Sequence, residues 1–470
     1  MKYLVTILVF TLSLTIAKAG LNAGAALSNI TPQMGVPLNG VIMQTGPAKD
    51  IHDELFARCI VLSDGKVTLA FAIVDSTMIS TEVHNAAKRQ IESELGIPPG
   101  NVCIAATHTH STPRSVTGLV DDDLHREYLD FLAVRLADGV KRAHNRLTPA
   151  EIGWGSFEEP RFVHNRRWYV KNAVQSPFGD RPETVKMNPG ANSAQLDKPA
   201  GPVDPEVFVV AIRNSENSQP IAVLGNYGLH YVGGIPGGTV SADYFGVFSD
   251  AIQQKWNADR LSPPFVGAMS NGTSGDVNAI DFRKPRQKFA LYQRMNEVAM
   301  ELAKGARQVI DKMEFQSDVN LASASRELRL KIRKPSAERL RWARKNKAPD
   351  DTKIRLNRTQ VYAKEALILN ELPDDVPVPL QVFRIGDLAV AQSPSETFAE
   401  TGLAIKEKSP FAGTTFTIEL ANGYTGYLPP KNQFEFGGYE TWPARSSFLE
   451  EEAETKMRAT LLQLLKQVKP

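Results

Sequence analysis

Two histidines one residue apart, His108 and His110, follow the apolar run Val102-Cys103-Ile104-Ala105 inside the stretch NVCIAATHTHSTPR. Such a run reads as a buried strand. Residues i and i+2 of a strand share a face, so both imidazoles are expected to project together from its carboxyl end. Neutral imidazole is the commonest protein ligand for a metal ion, and two held by one backbone segment lose little freedom on coordination. The same pair serves equally as hydrogen-bonded side chains of a polar loop, so a metal site needs further ligands. The chain offers two at similar places. The strand expected over residues 221–227 runs out into Gly228-Leu229-His230, and a strand pair around Gly386-Asp387 feeds Ser393-Pro394-Ser395-Glu396. Between them, SNGTSGDVN (residues 270–278) is dense in small and polar residues, which suits a loop whose backbone comes close to a ligand.

These residues need elements to position them. Strands are expected over 55–62 and 67–74, joined as a hairpin through Ser-Asp-Gly, and a helix over 83–95 that Gly96 stops. Residues 25–40 look like an edge strand and loop. Further helices are expected over 124–145, 245–255, 289–313 and 447–469, and strands over 207–212, 380–385 and 388–392. VHNRRWYV (residues 163–170) reads as a solvated basic loop, and 175–205 as a long surface loop. The result is an α/β chain of layered mixed β-sheets with flanking helices, its metal site built from loops at strand ends.

A chain of 470 residues, 42% hydrophobic and 23% charged, can bury a large core, and a net charge of +2 speaks against a nucleic-acid partner. No internal repeat or composition shift divides it, so residues 20–470 are expected to form one catalytic domain. Lys2, an apolar run over residues 3–17 and Ala17-Lys18-Ala19 compose a cleavable signal peptide, residues 1–19, which implies a secreted or periplasmic protein. Cys59 and Cys103 are too few for a disulfide framework and read as buried small hydrophobes. Residues 326–347 hold ten Lys or Arg against two Glu. That is a solvated face or, alternatively, a place of transient membrane-surface contact.

Taken together, ATHTHSTP, NYGLH, SGDVN, PSE, and GYTGY followed by GGYE resemble the neutral ceramidase family, zinc-dependent amidases that cleave the N-acyl bond of ceramide. The resemblance implies zinc held by His108, His230, Glu396 and Tyr427, with His110 as the catalytic histidine. It places Arg166 and Tyr439 on the substrate carbonyl oxygen. That donor set suits Zn2+ with one position left for water, and zinc lowers the pKa of bound water to about 7, so that the water can attack an N-acyl amide carbonyl. Asp75, Asp243 and Asp276 are candidates for orienting the histidine ligands, or simply turn caps.

Two departures place the chain in an outlying branch. The family's GDVSPN-type motif carries a catalytic serine, whereas Asn278 stands here, which favours the zinc-water route and leaves Asn278 as a hydrogen-bond donor to substrate. Ser274, four residues earlier, is a poor substitute nucleophile. Only about thirty residues follow Tyr439, too few for the family's immunoglobulin-like C-terminal domain of roughly a hundred. Two other readings of the same residues remain: a metal-dependent esterase, lactonase or uronate lyase acting on an oligosaccharide, and a non-catalytic protein with structural zinc.

Overall fold

The computed structural model describes residues 20–39, 46–113, 115, 123–349 and 356–470. The expected signal peptide, residues 1–19, lies outside them.

Strands buried along their whole length must be covered on both faces. Here two stacked sheets lie between layers of helices. The first sheet contains β1 (Asn22–Asn29), β2 (Phe56–Ser63), β3 (Thr68–Val74), β4 (Val102–Ala106), β5 (Thr148–Glu158), β6 (Glu206–Asn214), β7 (Pro220–Tyr227) and β8 (Val266–Asn271). Their order is β8-β7-β6-β5-β1-β2-β3-β4, with the parallel pairs β7/β8 and β3/β4 at its two ends. The second sheet runs β9 (Leu321–Lys331), β10 (Asp375–Ile385), β11 (Leu388–Gln392), β12 (Thr415–Ile418), parallel between the last two.

The inner faces share one core, in which Phe71 meets Phe383 edge-on at 5.2 Å and Phe208 lies 5.0 Å from Phe416. Helices α1 (Thr81–Leu95) and α2 (Asp123–His144) cover the outer face of β1 to β4. Helices α3 (Asp243–Lys255) and α4 (Gln293–Ile310) cover β6 to β8. On the far side, α5 (Ala399–Lys408) and α6 (Ala453–Val468) cover the second sheet. The layered α/β architecture agrees with the sequence reading. So does the stop of α1 at Gly96, φ 67°, while its start, capped by Ser80, lies two residues before the expected one.

Three expectations are corrected. Residues 22–29 are not an edge strand, because β1 lies between β5 and β2, and Gly24 lets α2 approach so closely that a Cβ there would sit 2.2 Å from the Ala143 carbonyl oxygen. The expected surface loop over 175–205 contains two strands, Pro182–Met187 and Leu196–Pro199, which flank Arg167–Gln175 in a small sheet of their own. VHNRRWYV is not a solvated loop: Arg166 and Arg167 are buried. Cys59 and Cys103 are buried and free, and burial pushes both thiols up to about 12.

The two sheets are stitched together at one edge. Ala106 N–H donates to Leu420 O at 3.1 Å, Asn422 N–H to Ile104 O at 2.7 Å, and Glu419 N–H to Asn271 O at 3.1 Å. The carboxyl ends of β4, β7, β8, β11 and β12 therefore meet, and the chain leaving each of them enters one small volume.

Candidate metal centre

His108 follows β4, His230 follows β7 and Glu396 follows β11. The Nε2 atoms of His108 and His230 stand 2.9 Å apart, and the Glu396 Oε2 is 3.3 Å from the first and 3.6 Å from the second. His110 Nε2 lies 3.2 Å from His108 Nε2. The pair does not converge by strand alternation, as the sequence suggested. β4 ends at Ala106, and His108 has φ 74°, so a left-handed turn directs the two rings.

The outer ring atoms decide what this centre can hold. His108 Nδ1 is 2.7 Å from the Thr77 carbonyl, and His230 Nδ1 is 2.8 Å from the Ser274 carbonyl and 3.0 Å from Ser274 Oγ. A carbonyl oxygen only accepts, so both Nδ1 atoms carry the hydrogen and both Nε2 atoms of the neutral rings present lone pairs. Those lone pairs face each other beside Glu396 Oε2, a buried oxygen with no hydrogen-bond partner. Three converging electron pairs with no donor among them are unfavourable unless a cation joins them. The donor set, two imidazoles with a carboxylate and a phenol beside them, fits zinc.

Burial, then the nearby charge of Arg166, hold the His230 imidazole well below the usual histidine range. For Glu396, burial acts upward, but His108, Tyr427 and Arg166 outweigh it and keep the carboxyl below its ordinary value. A depressed histidine pKa keeps the metal-binding form populated at lower pH, so protons compete later. Bound metal should therefore be retained below the ordinary histidine value of about 6.5. Dialysis in steps from about pH 8 to about pH 5 with metal analysis checks this; release already complete near 6.5 would contradict it.

Tyr427 is held against Glu396 by a two-residue parallel ladder, Glu396–Thr397 with Tyr427–Leu428. Its ring lies 5.4 Å from the Arg166 guanidinium carbon and 5.5 Å from the Tyr439 ring. Gly275 lets the SGDVN loop press on this ladder: a Cβ there would stand 2.4 Å from the Glu396 carbonyl oxygen. His108 and His230 are each 1% exposed, whereas His110 is only partly buried and stacks on Tyr231 at 3.7 Å. Burial, then His108 and Arg166, keep His110 neutral well below the usual range. Its position, partly exposed and beside the centre, is what suits it to proton transfer.

Of the sequence-named site residues, His108, His110, His230, Glu396, Tyr427, Arg166 and Tyr439 come together. Asn278 does not. Its Nδ2 donates to Asn188 Oδ1 at 2.8 Å and its Oδ1 accepts from Ile280 N–H at 2.9 Å, so both ends of the amide are engaged in a loop. None of the three aspartates takes the orienting role. Asp75 pairs with Arg58, Asp243 caps backbone N–H groups of Val232, Gly233 and Tyr244, and Asp276 accepts from Asn165 and Ala399. Thr77 and Ser274 hold the histidines instead.

Sequence reasoning also missed Tyr424, whose hydroxyl donates to Glu396 Oε1 at 3.2 Å, and Glu419. Glu419 accepts from Ser274 Oγ at 2.6 Å and from Thr397 N–H at 2.7 Å. Ser274 Oγ is thus fixed between His230 and Glu419, a support for the ligand rather than a nucleophile. Burial pushes the Glu419 carboxyl well above its usual range. Tyr424 lay within the quoted GYTGY; Glu419, in a run of ordinary strand residues, had no signal.

Fold and site define a class: layered α/β proteins with a histidine and carboxylate centre, able to hold a metal ion, where the carboxyl ends of two stacked sheets meet. The family model described as neutral/alkaline non-lysosomal ceramidase, N-terminal, matches residues 22–280, more than half the chain, and the chain belongs to that family. Its fold is similar to the crystal structure of neutral ceramidase from Pseudomonas aeruginosa, with TM-score 0.70 and 18% identity over 95% of this chain and 74% of that one. A ceramidase complexed with C2 is similar at TM-score 0.70 and 17% identity, covering 95% and 75%.

Proposed function

We propose that this chain is an exported zinc-dependent amidohydrolase that cleaves the N-acyl bond of a ceramide-like lipid, and that residues 20–470 act as one catalytic unit. The observation that carries the reading is the meeting of His108 Nε2, His230 Nε2 and the unpartnered Glu396 Oε2. Family membership supplies the amide and the lipid. A zinc ion held by these residues and Tyr427 would supply an electrophile for the carbonyl oxygen and lower the pKa of a water molecule.

The protein groups divide the remaining work. His110, neutral and partly exposed, takes a proton from the attacking water and returns it to the amine as the C–N bond breaks. The products are a fatty acid and a free long-chain amine. Arg166 stays charged: burial opposes this, but Tyr427, Glu440 and Glu396 more than compensate. Its Nε donates to Glu440 at 2.9 Å and one Nη to the Gly275 carbonyl at 2.8 Å, which fixes the head before substrate arrives. With Tyr439, whose phenol is kept protonated by burial and by Glu396, it donates to the oxygen under attack in this reading. Export rests on the composition of residues 1–19; among the described residues, no helix is long and apolar enough to cross a membrane.

The test is a screen of the zinc-loaded protein against N-acyl sphingoid lipids, simple esters and lactones, and uronate oligosaccharides. Release of fatty acid and amine from the first group alone is expected. Turnover confined to uronates, with an unsaturated product, would replace this reading by the lyase one.

A further inference from the structure

Between Asn278 and α4 the chain makes an exposed excursion, IDFRKPRQKFAL, residues 280–291, and both its ends bond to the segments that carry Arg166 and His230. At one end Asn278 pairs with His164, two residues before Arg166, while Phe282 is buried and its carbonyl accepts from Asn192 N–H at 2.8 Å. At the other end Tyr292 N–H donates to the Gly234 carbonyl at 3.0 Å, four residues beyond His230. The segment therefore stands on the rim of the site.

Its surface joins two properties. Arg283, Lys284, Arg286 and Lys288 oppose a single acid, Asp281. Asp281 pairs with Arg283 at 2.9 Å and Lys284 at 3.4 Å, and Arg286 and Lys288 have no acidic partner among the described residues. Beside them Ile280 is 43% exposed, Phe289 40% and Leu291 62%. The Phe289 ring rests on the Arg294 guanidinium at 5.2 Å and stays 40% exposed. Single exposed apolar residues need no explanation, but large apolar side chains interleaved with excess cations match an anionic lipid surface, where cations meet headgroup phosphates and apolar groups enter the interfacial layer.

The basic segment 326–347 lacks this combination. Arg329 pairs with Asp375, Arg339 with Asp180, and Arg333 donates to the carbonyls of Thr441 and Ser447. Those three cations serve the fold, and the exposed Arg341 and Arg344 have no exposed large apolar side chain beside them among the described residues.

We propose that residues 280–291 dock the rim of the metal centre on an anionic bilayer, with Arg286 and Lys288 on phosphates and Phe289 and Leu291 in the interface. This deepens the lipid-amidase reading and rests on it for its purpose, but docking is measurable without turnover. The experiment is flotation of the metal-loaded protein with vesicles of phosphatidylcholine, alone or mixed with phosphatidylglycerol, neither containing an amide lipid. Binding to the mixed vesicles, weakening with salt, is expected. R286Q/K288Q and, separately, F289S/L291S should each lower partitioning roughly tenfold or more, while hydrolysis of a water-soluble short-chain amide is unchanged. R341Q/R344Q, on the helix Ala337–Asn346, should bind as the parent does. Equal affinity for both vesicle types, no binding to either, or loop variants that bind normally would overturn the proposal. Docking without amide cleavage would remove the substrate reading and leave the surface standing; cleavage in detergent without docking would do the reverse.

Discussion

His230→Ala should lose bound metal and reduce turnover by about three orders of magnitude. The imidazole is fully buried, its Nδ1 is fixed by Ser274, and its Nε2 is one of three electron pairs that meet at the centre. Removing it leaves His108 and Glu396 with Tyr427 nearby, a weaker set for a borderline ion, and opens a cavity that water will enter. A Lewis acid contributes several kcal/mol of transition-state stabilisation, and each 1.4 kcal/mol or so is a factor of ten in rate, hence the size of the loss. Metal content by mass spectrometry and kcat should fall together. Chelated parent protein should recover on adding zinc, whereas the variant should not. A variant with a full equivalent of zinc and parental kcat would remove the metal centre from the mechanism.

The second large effect concerns stability. Arg166 and Arg167 are 5% and 0% exposed and share the fully buried Glu440, through Arg166 Nε to Oε1 at 2.9 Å and an Arg167 Nη to Oε2 at 2.7 Å. Arg167 also donates to Gln433 and to the Gly437 carbonyl. One carboxylate thus bridges two adjacent buried guanidinium groups. Glu440→Gln keeps the shape and removes the charge, leaving like charges without their counter-ion, and breaking such a buried arrangement costs about 3–5 kcal/mol. The urea midpoint should drop with an unchanged slope. Activity should fall further than the loss of folded protein explains, because Glu440 also aims Arg166, and removing one oxyanion donor typically costs about 10²-fold or more. Parental stability for Glu440→Gln would mean that the two arginines are satisfied without it.

These two cases differ in how legible they were beforehand. His108, His230 and Glu396 each stand where an apolar strand gives out, a pattern visible in a window of ten residues. Arg166, Tyr427 and Tyr439 were named only because their motifs resemble a family, since one arginine in VHNRRWYV looks like the other. Their partner Glu440 was hidden for a simple reason: it is 274 positions from Arg166, and no local preference marks which acid will meet which arginine. Asn278 is legible in another way. It occupies the motif position of a catalytic residue, yet its amide closes a loop with Asn188 and Ile280.

What the sequence alone determined is the set of local decisions: where strands end, where Gly96 stops a helix, which runs are apolar enough to be buried, and which chemistry-bearing side chains stand at those ends. These depend on backbone preference and hydrophobic period over a few residues. Only the tertiary structure decided that β1 is internal, that a left-handed turn at His108 aims the rings, that Thr77, Ser274 and Glu419 hold the ligands, and that Glu440 joins two arginines. Each of these is a pairing across the stacked sheets or between loops far apart in the chain, settled by burial and by the need to satisfy every buried polar group at once.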